Sequence, residues 1–455
     1  MRGKYMNRNR HARVLAGLTA LALVAASCGS DSDSSSDTEA PSGTDAATET
    51  TVADTTPEDT TPTETDTTEP VDTEAPADGE AFITLPAPDG EEIIVGMVNT
   101  EGSPGLDFPE IAVATQAATD FLNEHGGLGG RPIKLEVCKA SGAPETSQAC
   151  AQELAGKGVE LIMLGLDLFP GYDTFTASNI PVTGILPILP GDFTANALFL
   201  GGGNATTVAA MAGFATENFG AKTAGIVSAD NAGANGTEAD LKKALDAAGI
   251  TYVSIKGGDN ETDAGFQGLM SQATADDPDV LFSLYADAGC IGTMRGRVSL
   301  GIETPVITTA ICSSAEVIDV VGDDADGWYF IGAQTEREGT PQATDLDAIL
   351  DALGFTNSTE LGLGALGVTG LFTLASVANS MADASEDVTG ASIFETLGAS
   401  DGIVNWPDGN PLECGSVASI PSICYFTFPI ATYLSGEGIQ TVPGYEAFDT
   451  TPYLP

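Results

Sequence analysis

The chain is poor in positive charge. Its 455 residues hold 16 Lys+Arg against 65 Asp+Glu, a formal charge of −49. A nucleic-acid binder needs a basic footprint to neutralise phosphates, so that class is excluded. Histidine is scarcer still: His11 and His125 are too few and too far apart for an imidazole metal centre. None of the 7 cysteines falls in a CxxC pair, which removes zinc ribbons and thiol-redox motifs. No GxxxxGK[ST] phosphate loop occurs. What is present is 42% hydrophobic residues, too many for a collagen-like or wholly disordered chain.

The charge is unevenly spread. Arg2, Lys4, Arg8, Arg10 and Arg13 precede a 13-residue apolar run, Val14 to Ala26. Spanning a bilayer takes about 20 residues, so residues 1–27 read as an export signal. The segment ends Ala25-Ala26-Ser27-Cys28-Gly29, which resembles the bacterial lipobox with Ala25 in place of the usual Leu. That resemblance implies lipidation of Cys28 and attachment to the outer face of the cytoplasmic membrane; the alternative is a soluble secreted chain. Residues 28–90 read as a disordered acidic Thr/Pro-rich stalk. After Cys28 they hold 17 acids, no base and no aromatic before Phe82, and such a segment cannot bury enough apolar surface to offset chain entropy.

Six cysteines remain: Cys138, Cys150, Cys290, Cys312, Cys414 and Cys424. An even number in an exported chain suggests disulfides. Of the 15 formal connectivities, pairing of sequence neighbours is preferred, with free buried thiols as the alternative.

Residues 91–455 hold 11 bases and 48 acids, a net charge of −37. Short apolar runs (92–100, 159–167, 180–187, 223–230, 279–287, 304–312, 327–334) alternate with amphipathic stretches. This is the pattern of parallel sheets covered on both faces. The fold class is α/β, with two doubly wound parallel-sheet lobes. Lobe 1 is expected over 91–205 and 335–430, and lobe 2 over 206–334 and 431–455. The Gly201–Asn204 stretch suits a crossing, and the apolar stretch 359–384 reads as a helix returning to lobe 1. His125, in the last turn of the helix at 108–127, reads as a cap.

The run LNEHGGLGGRPIKLEV resembles the INxxGGxxGRxI segment of type I periplasmic binding proteins of the branched-chain amino-acid group, through Gly126, Gly127, Gly130 and Arg131. DDPDVLFS, RGRVSLGIETPVI and DADGWYFIGA resemble later steps of the same family in order. The resemblance implies two lobes joined by a three-segment hinge, in a solute-binding lipoprotein that closes on an amino acid or similar small polar solute and hands it to ABC-transporter permease subunits, with no cofactor, no metal, no nucleic acid and no catalytic activity. A binding module feeding a membrane signalling receptor is the alternative.

In open α/β sheets ligands bind beyond the carboxyl ends of strands. The candidate ligand residues are therefore Asn99, Ser103, Phe108, Asp167, Phe169 and Gly184 in lobe 1, and Asn231, Tyr285, Asp287 and Thr309 in lobe 2. Each has a structural alternative: a helix cap for Asp167 and Asp287, a turn for Asn231, packing for Tyr285, Phe108 and Phe169. The resemblance implies hydroxyls for a ligand carboxylate where this chain has Asp167-Leu168-Phe169, and an acid for its ammonium where it has Ala310-Ile311-Cys312; Asp287 is the substitute acid. Gly362, Gly364 and Gly367 spell GxGxxG, but they follow no strand and merge into a helix, so no dinucleotide site is read there.

Overall fold

A computed structural model describes residues 81–103, 107–333, 340–356, 358–400, 402–406 and 409–454. The expected signal, Cys28 and the stalk up to residue 80 lie outside the described residues.

The first sheet contains β1 (Ile93–Thr100), β2 (Ile133–Ala140), β3 (Leu161–Leu164), β4 (Val182–Gly184) and β5 (Leu198–Phe199), all parallel, in the order β2-β1-β3-β4-β5. The second contains β6 (Thr223–Ala229), β7 (Thr251–Gly257), β8 (Val280–Leu284), β9 (Val306–Thr309) and β10 (Trp328–Ile331). A short pair, β11 (Thr427–Phe428) with β14 (Phe448–Asp449), flanks β12 (Ile430–Leu434) and β13 (Gly438–Thr441) in the chain. β12 and β13 extend the second sheet antiparallel, giving the order β13-β12-β10-β9-β8-β6-β7.

Helices α1 (Pro109–Glu124), α2 (Pro144–Gly156) and α3 (Tyr172–Ala177) connect the first sheet; α4 (Gly203–Phe219), α5 (Ala232–Ala248), α6 (Asp263–Ala273), α7 (Asp287–Leu300) and α8 (Ala315–Val321) serve the second. α9 (Pro341–Leu353), α10 (Gly364–Asp383) and α11 (Gly390–Ala399) follow, and α9 and α10 pack on α1. The chain thus passes between the two large sheets after β5, after β10 and between Ile423, which bridges to Phe199 of β5, and β12. The apolar stretch 359–384 does return to the first lobe, as α10 against α1.

β1 shows why the strands read as near-continuous apolar runs. Ile93, Val95 and Met97 enter one core with α1 and α10, while Val98 enters another with α2; all are fully buried. A strand covered on both faces has apolar residues at both phases of its two-residue repeat.

The GGLGGR turn has a mechanical reason. Gly127 has φ +62°, and a Cβ there would collide with the Arg131 carbonyl. Arg131 then forks onto Glu160 at 2.7 and 3.0 Å and donates to the Val388 carbonyl at 2.8 Å. His125 caps α1, its N–H donating to the Leu122 carbonyl. The expected disulfides are present: Cys138–Cys150, Cys290–Cys312 and Cys414–Cys424.

Residues 81–90, grouped with the stalk by composition, lie on the body. The Phe82 and Ile83 N–H groups donate to Asp345 at 2.9 and 3.0 Å, and the Phe82 ring meets Phe372 at 5.2 Å. Asp345 is buried. Leaving one buried and one part-buried donor unmade is expected to cost about 2 kcal/mol in Asp345→Ala. Limited proteolysis should then cut near residues 81–90, where wild type resists; an unchanged pattern would mean that the aromatic contact alone holds the segment.

Candidate functional site

β1, β3 and β4 are consecutive in the first sheet, so their carboxyl-end loops lie side by side. They bring Asn99, Ser103, Phe108, Asp167, Phe169 and Gly184 to one edge. β6, β8 and β9 are consecutive in the second sheet and gather Asn231, Tyr285, Asp287 and Thr309 in the same way.

Several of these side chains are occupied within the protein. Asn99 is fully buried. It accepts from the Leu166 N–H at 3.0 Å and donates to the Phe108 carbonyl at 2.8 Å and to Glu101 at 3.1 Å. It thereby pins the β3 loop to the entrance of α1. Phe108 is 5% exposed and belongs to the core. Gly184 ends β4, where a Cβ would sit 3.0 Å from the Phe199 ring. Ser103 donates to the Ser141 carbonyl at 2.9 Å. Asn231 caps α5, accepting from Ala234 N–H at 2.9 Å, and donates to Asp259 at 2.5 Å. Tyr285 is 5% exposed, with its ring 5.5 Å from Phe266. Burial, followed by the charges of Glu261 and Asp259, pushes its hydroxyl up to about 12.

Asp167 is 3% exposed. Its Oδ1 accepts from Ser147 Oγ at 2.5 Å and from the Phe169 N–H at 3.2 Å, while Oδ2 is buried without a hydrogen-bond partner. Burial raises its pKa and the Asp192 charge adds to this; the bonds from Ser147 and Phe169 oppose it. A carboxyl raised in the folded state favours folding below its unfolded pKa, about 3.9, and that contribution is lost as pH rises through the folded value. Asn at this position does not titrate. The stability of Asp167→Asn relative to wild type should therefore climb as pH rises from about 4 through that raised value. Urea unfolding across pH 3.5–7 checks this, and a flat difference would contradict it.

Of the candidates, Ser103, Phe169, Asn231 and Thr309 are half-buried and Asp287 is exposed. Asp287 opens α7 with φ +43°, in the left-handed region, and has no hydrogen-bond or ion-pair partner among the described residues. Non-glycine residues hold such backbone at a cost of about 1–3 kcal/mol, and they cluster at functional sites.

Sequence reasoning missed Asp192. It is 3% exposed, accepts from Ile188 and Leu189 N–H groups at 2.7 and 2.8 Å and from the Tyr172 hydroxyl at 2.7 Å, and so shapes the loop after β4. Burial, with the Asp192 charge, pushes the Tyr172 pKa up. The local signal was an acid in a Pro-Gly turn directly after an apolar run. No group of three or more His, Cys, Asp or Glu is placed to hold a metal among the described residues. A groove of about 430 Å³ among Arg297, Glu303, Asp326, Tyr329 and Tyr433 lies at the opposite edge of the second sheet, where strands β9 and β10 begin, and is separate from this site.

A family model described as periplasmic binding protein matches residues 92–404. A Leu/Ile/Val-binding protein homolog of Brucella melitensis is 22% identical over 272 residues, which is 57% of this chain and 71% of that one. Among solved structures, a putative branched-chain amino acid ABC transporter protein from Rhodospirillum rubrum superposes with a TM-score of 0.62 at 13% identity, covering 77% of this chain and 100% of that one. A solute binding protein from Rhodopseudomonas palustris in complex with 4-hydroxybenzoate gives a TM-score of 0.53 at 16% identity, covering 79% and 97%. The fold of two parallel-sheeted lobes and the match over most of the body agree: the chain belongs to the periplasmic binding protein family, in its branched-chain amino-acid group.

Proposed function

We propose that this protein captures a small organic solute between its two lobes and delivers it to the permease of an ABC importer, held at the outer face of the membrane by lipidated Cys28 and spaced from it by the acidic stalk. The observation that carries this reading is the family match over 92–404, on a chain whose candidate residues gather at the carboxyl edges of two parallel sheets. The relatives' names point to branched-chain amino acids and 4-hydroxybenzoate as solutes handled by similar proteins, so the family supports small solutes of more than one chemical class.

In this reading Asp287 is an exposed polar group of lobe 2 with no partner among the described residues, and its carboxylate contacts the solute. Asp287→Ala is expected to weaken binding about tenfold, roughly 1.4 kcal/mol, measured by calorimetry with a solute identified through thermal shift. A solute at 100 times its Kd stabilises the fold by about 2.7 kcal/mol. Unchanged affinity in the variant would remove Asp287 from the site. Enzymatic turnover without any solute-dependent stabilisation would overturn the whole reading.

A further inference from the structure

The groove at the far edge of the second sheet is bounded by the segments that enter β9 and β10 and by the end of β12. Its volume of about 430 Å³ falls within the roughly 300–1,000 Å³ of small-molecule pockets. Some of its polar groups are spent inside the chain. The Tyr433 hydroxyl donates to Asp323 at 3.2 Å, and the Thr432 hydroxyl donates to the Trp328 carbonyl at 2.9 Å.

Others are left over. A guanidinium has five N–H donors. Arg297 spends three, one from each nitrogen, on the carbonyls of Thr304, Asp326 and Glu303. One N–H on Nη1 and one on Nη2 remain without an acceptor among the described residues, on a side chain only 8% exposed. Gly327 lines the groove beside Nη2, and a Cβ there would stand 2.6 Å from that nitrogen. The half-buried Tyr329 hydroxyl has no partner among the described residues. Glu303 and Asp326, both exposed, have none for their carboxylates. These carboxylates act on the guanidinium by charge, yet neither pairs with it.

The leftover groups select the occupant. A simple anion meets the guanidinium but also two carboxylates. A simple cation meets the carboxylates and leaves the buried N–H donors unmade. A zwitterion answers both sets: its carboxylate accepts from Nη1 and Nη2, the paired bonding that guanidinium groups favour, and its ammonium donates to Asp326 or Glu303. Ile302 and Leu434, the latter 40% exposed, line the same groove and offer apolar surface to a short side chain.

We propose that this groove is a second binding site, separate from the one between the lobes, and that it takes a small zwitterion carrying an ammonium and a carboxylate on one short body, the chemistry of an α-amino acid.

The test uses the full chain and three probes that share one carbon body: leucine, isovalerate with the carboxylate alone, and isoamylamine with the ammonium alone. Hydrogen exchange read by mass spectrometry locates the binding. Leucine at millimolar concentration should slow exchange in the peptides that cover Ile302, Asp326 and Leu434. Each single-charge analogue should need at least tenfold more for half-protection. The Glu303→Gln/Asp326→Asn double variant alters two exposed residues, should melt as wild type does, and should raise the leucine concentration at half-protection at least tenfold. Tyr329→Phe keeps the ring packed on Phe214 and Phe219 and should raise it several-fold. Protection confined to the carboxyl-end loops, or no protection at all, overturns the proposal. So does equal protection by isovalerate or isoamylamine. Undiminished protection in the double variant overturns the part assigned to the two carboxylates.

Discussion

Replacing Arg297 with alanine is expected to remove about 3–5 kcal/mol of stability, because three hydrogen bonds from a charged donor are lost, their carbonyl acceptors are left unmade and a cavity remains. Arg297 is 8% exposed. Its Nε donates to the Thr304 carbonyl at 3.1 Å, Nη1 to Asp326 at 2.7 Å and Nη2 to Glu303 at 3.0 Å. Those carbonyls lie in the segments entering β9 and β10, so one side chain from the last turn of α7 fixes both strand entrances. Burial holds the guanidinium below its ordinary value, and the charges of Asp326, Tyr329 and Glu303 oppose that shift. The planar fork matters as much as the charge. Arg297→Lys can reach one or two carbonyls and should retain less than half of the lost stability. Gly327 belongs to the same device: it has φ +78°, and a Cβ there would sit 2.6 Å from Nη2. Urea unfolding at neutral pH measures the effect, and a loss under 1 kcal/mol would show that other contacts hold the strand entrances.

The motif pair RGRVSLG and DADGWYF, which drew attention as a resemblance, is thus a local machine of the fold at the edge away from the solute. This illustrates what is legible in the sequence. Alternation of apolar runs with amphipathic helices is a local signal, and it marks both sheets and the return of α10. Strand limits are less legible. The run 159–167 yields a strand only at 161–164, and just beyond it the Leu166 N–H is captured by Asn99. The run 304–312 becomes a strand at 306–309 and then turns into a 3-10 helix at Ala310–Ser313. The run 180–187 shortens to 182–184, and Asp192 organises the backbone just beyond it.

The same partnership decides the site. Position at a strand end can be read from the sequence, but whether a polar side chain faces solute or chain depends on distant partners. Asn99 is spent on Leu166, 67 residues away, and Asp167 on Ser147, 20 residues away. Residues 81–90 look like more stalk until Asp345 is found 263 residues downstream of Phe82. Asp287 has no such partner among the described residues, and that leaves it available.

The Cys290→Ser/Cys312→Ser double variant is expected to lose about 3 kcal/mol, the chain-entropy figure for a loop of this order; the bond closes 22 residues. Its placement predicts a second effect. The disulfide ties the first turn of α7 to the 3-10 turn after β9. Both sulfurs lie 3.4–3.5 Å from the Tyr285 carbonyl, and both cysteines are fully buried. The segments it joins carry Asp287, which is exposed, and Thr309, which is half-buried. Without the bond each loop must be ordered when solute binds, and ordering draws on the binding free energy. Affinity should therefore fall several-fold at temperatures well below melting, where the variant is fully folded. Cys414→Ser/Cys424→Ser provides the contrast: it opens a 10-residue loop near the edge of the first sheet, away from either candidate loop, and should lower stability with affinity unchanged. Equal affinity losses in the two variants would trace the effect to general destabilisation. A loss confined to Cys290–Cys312 would make that bond a positioning element of the solute site.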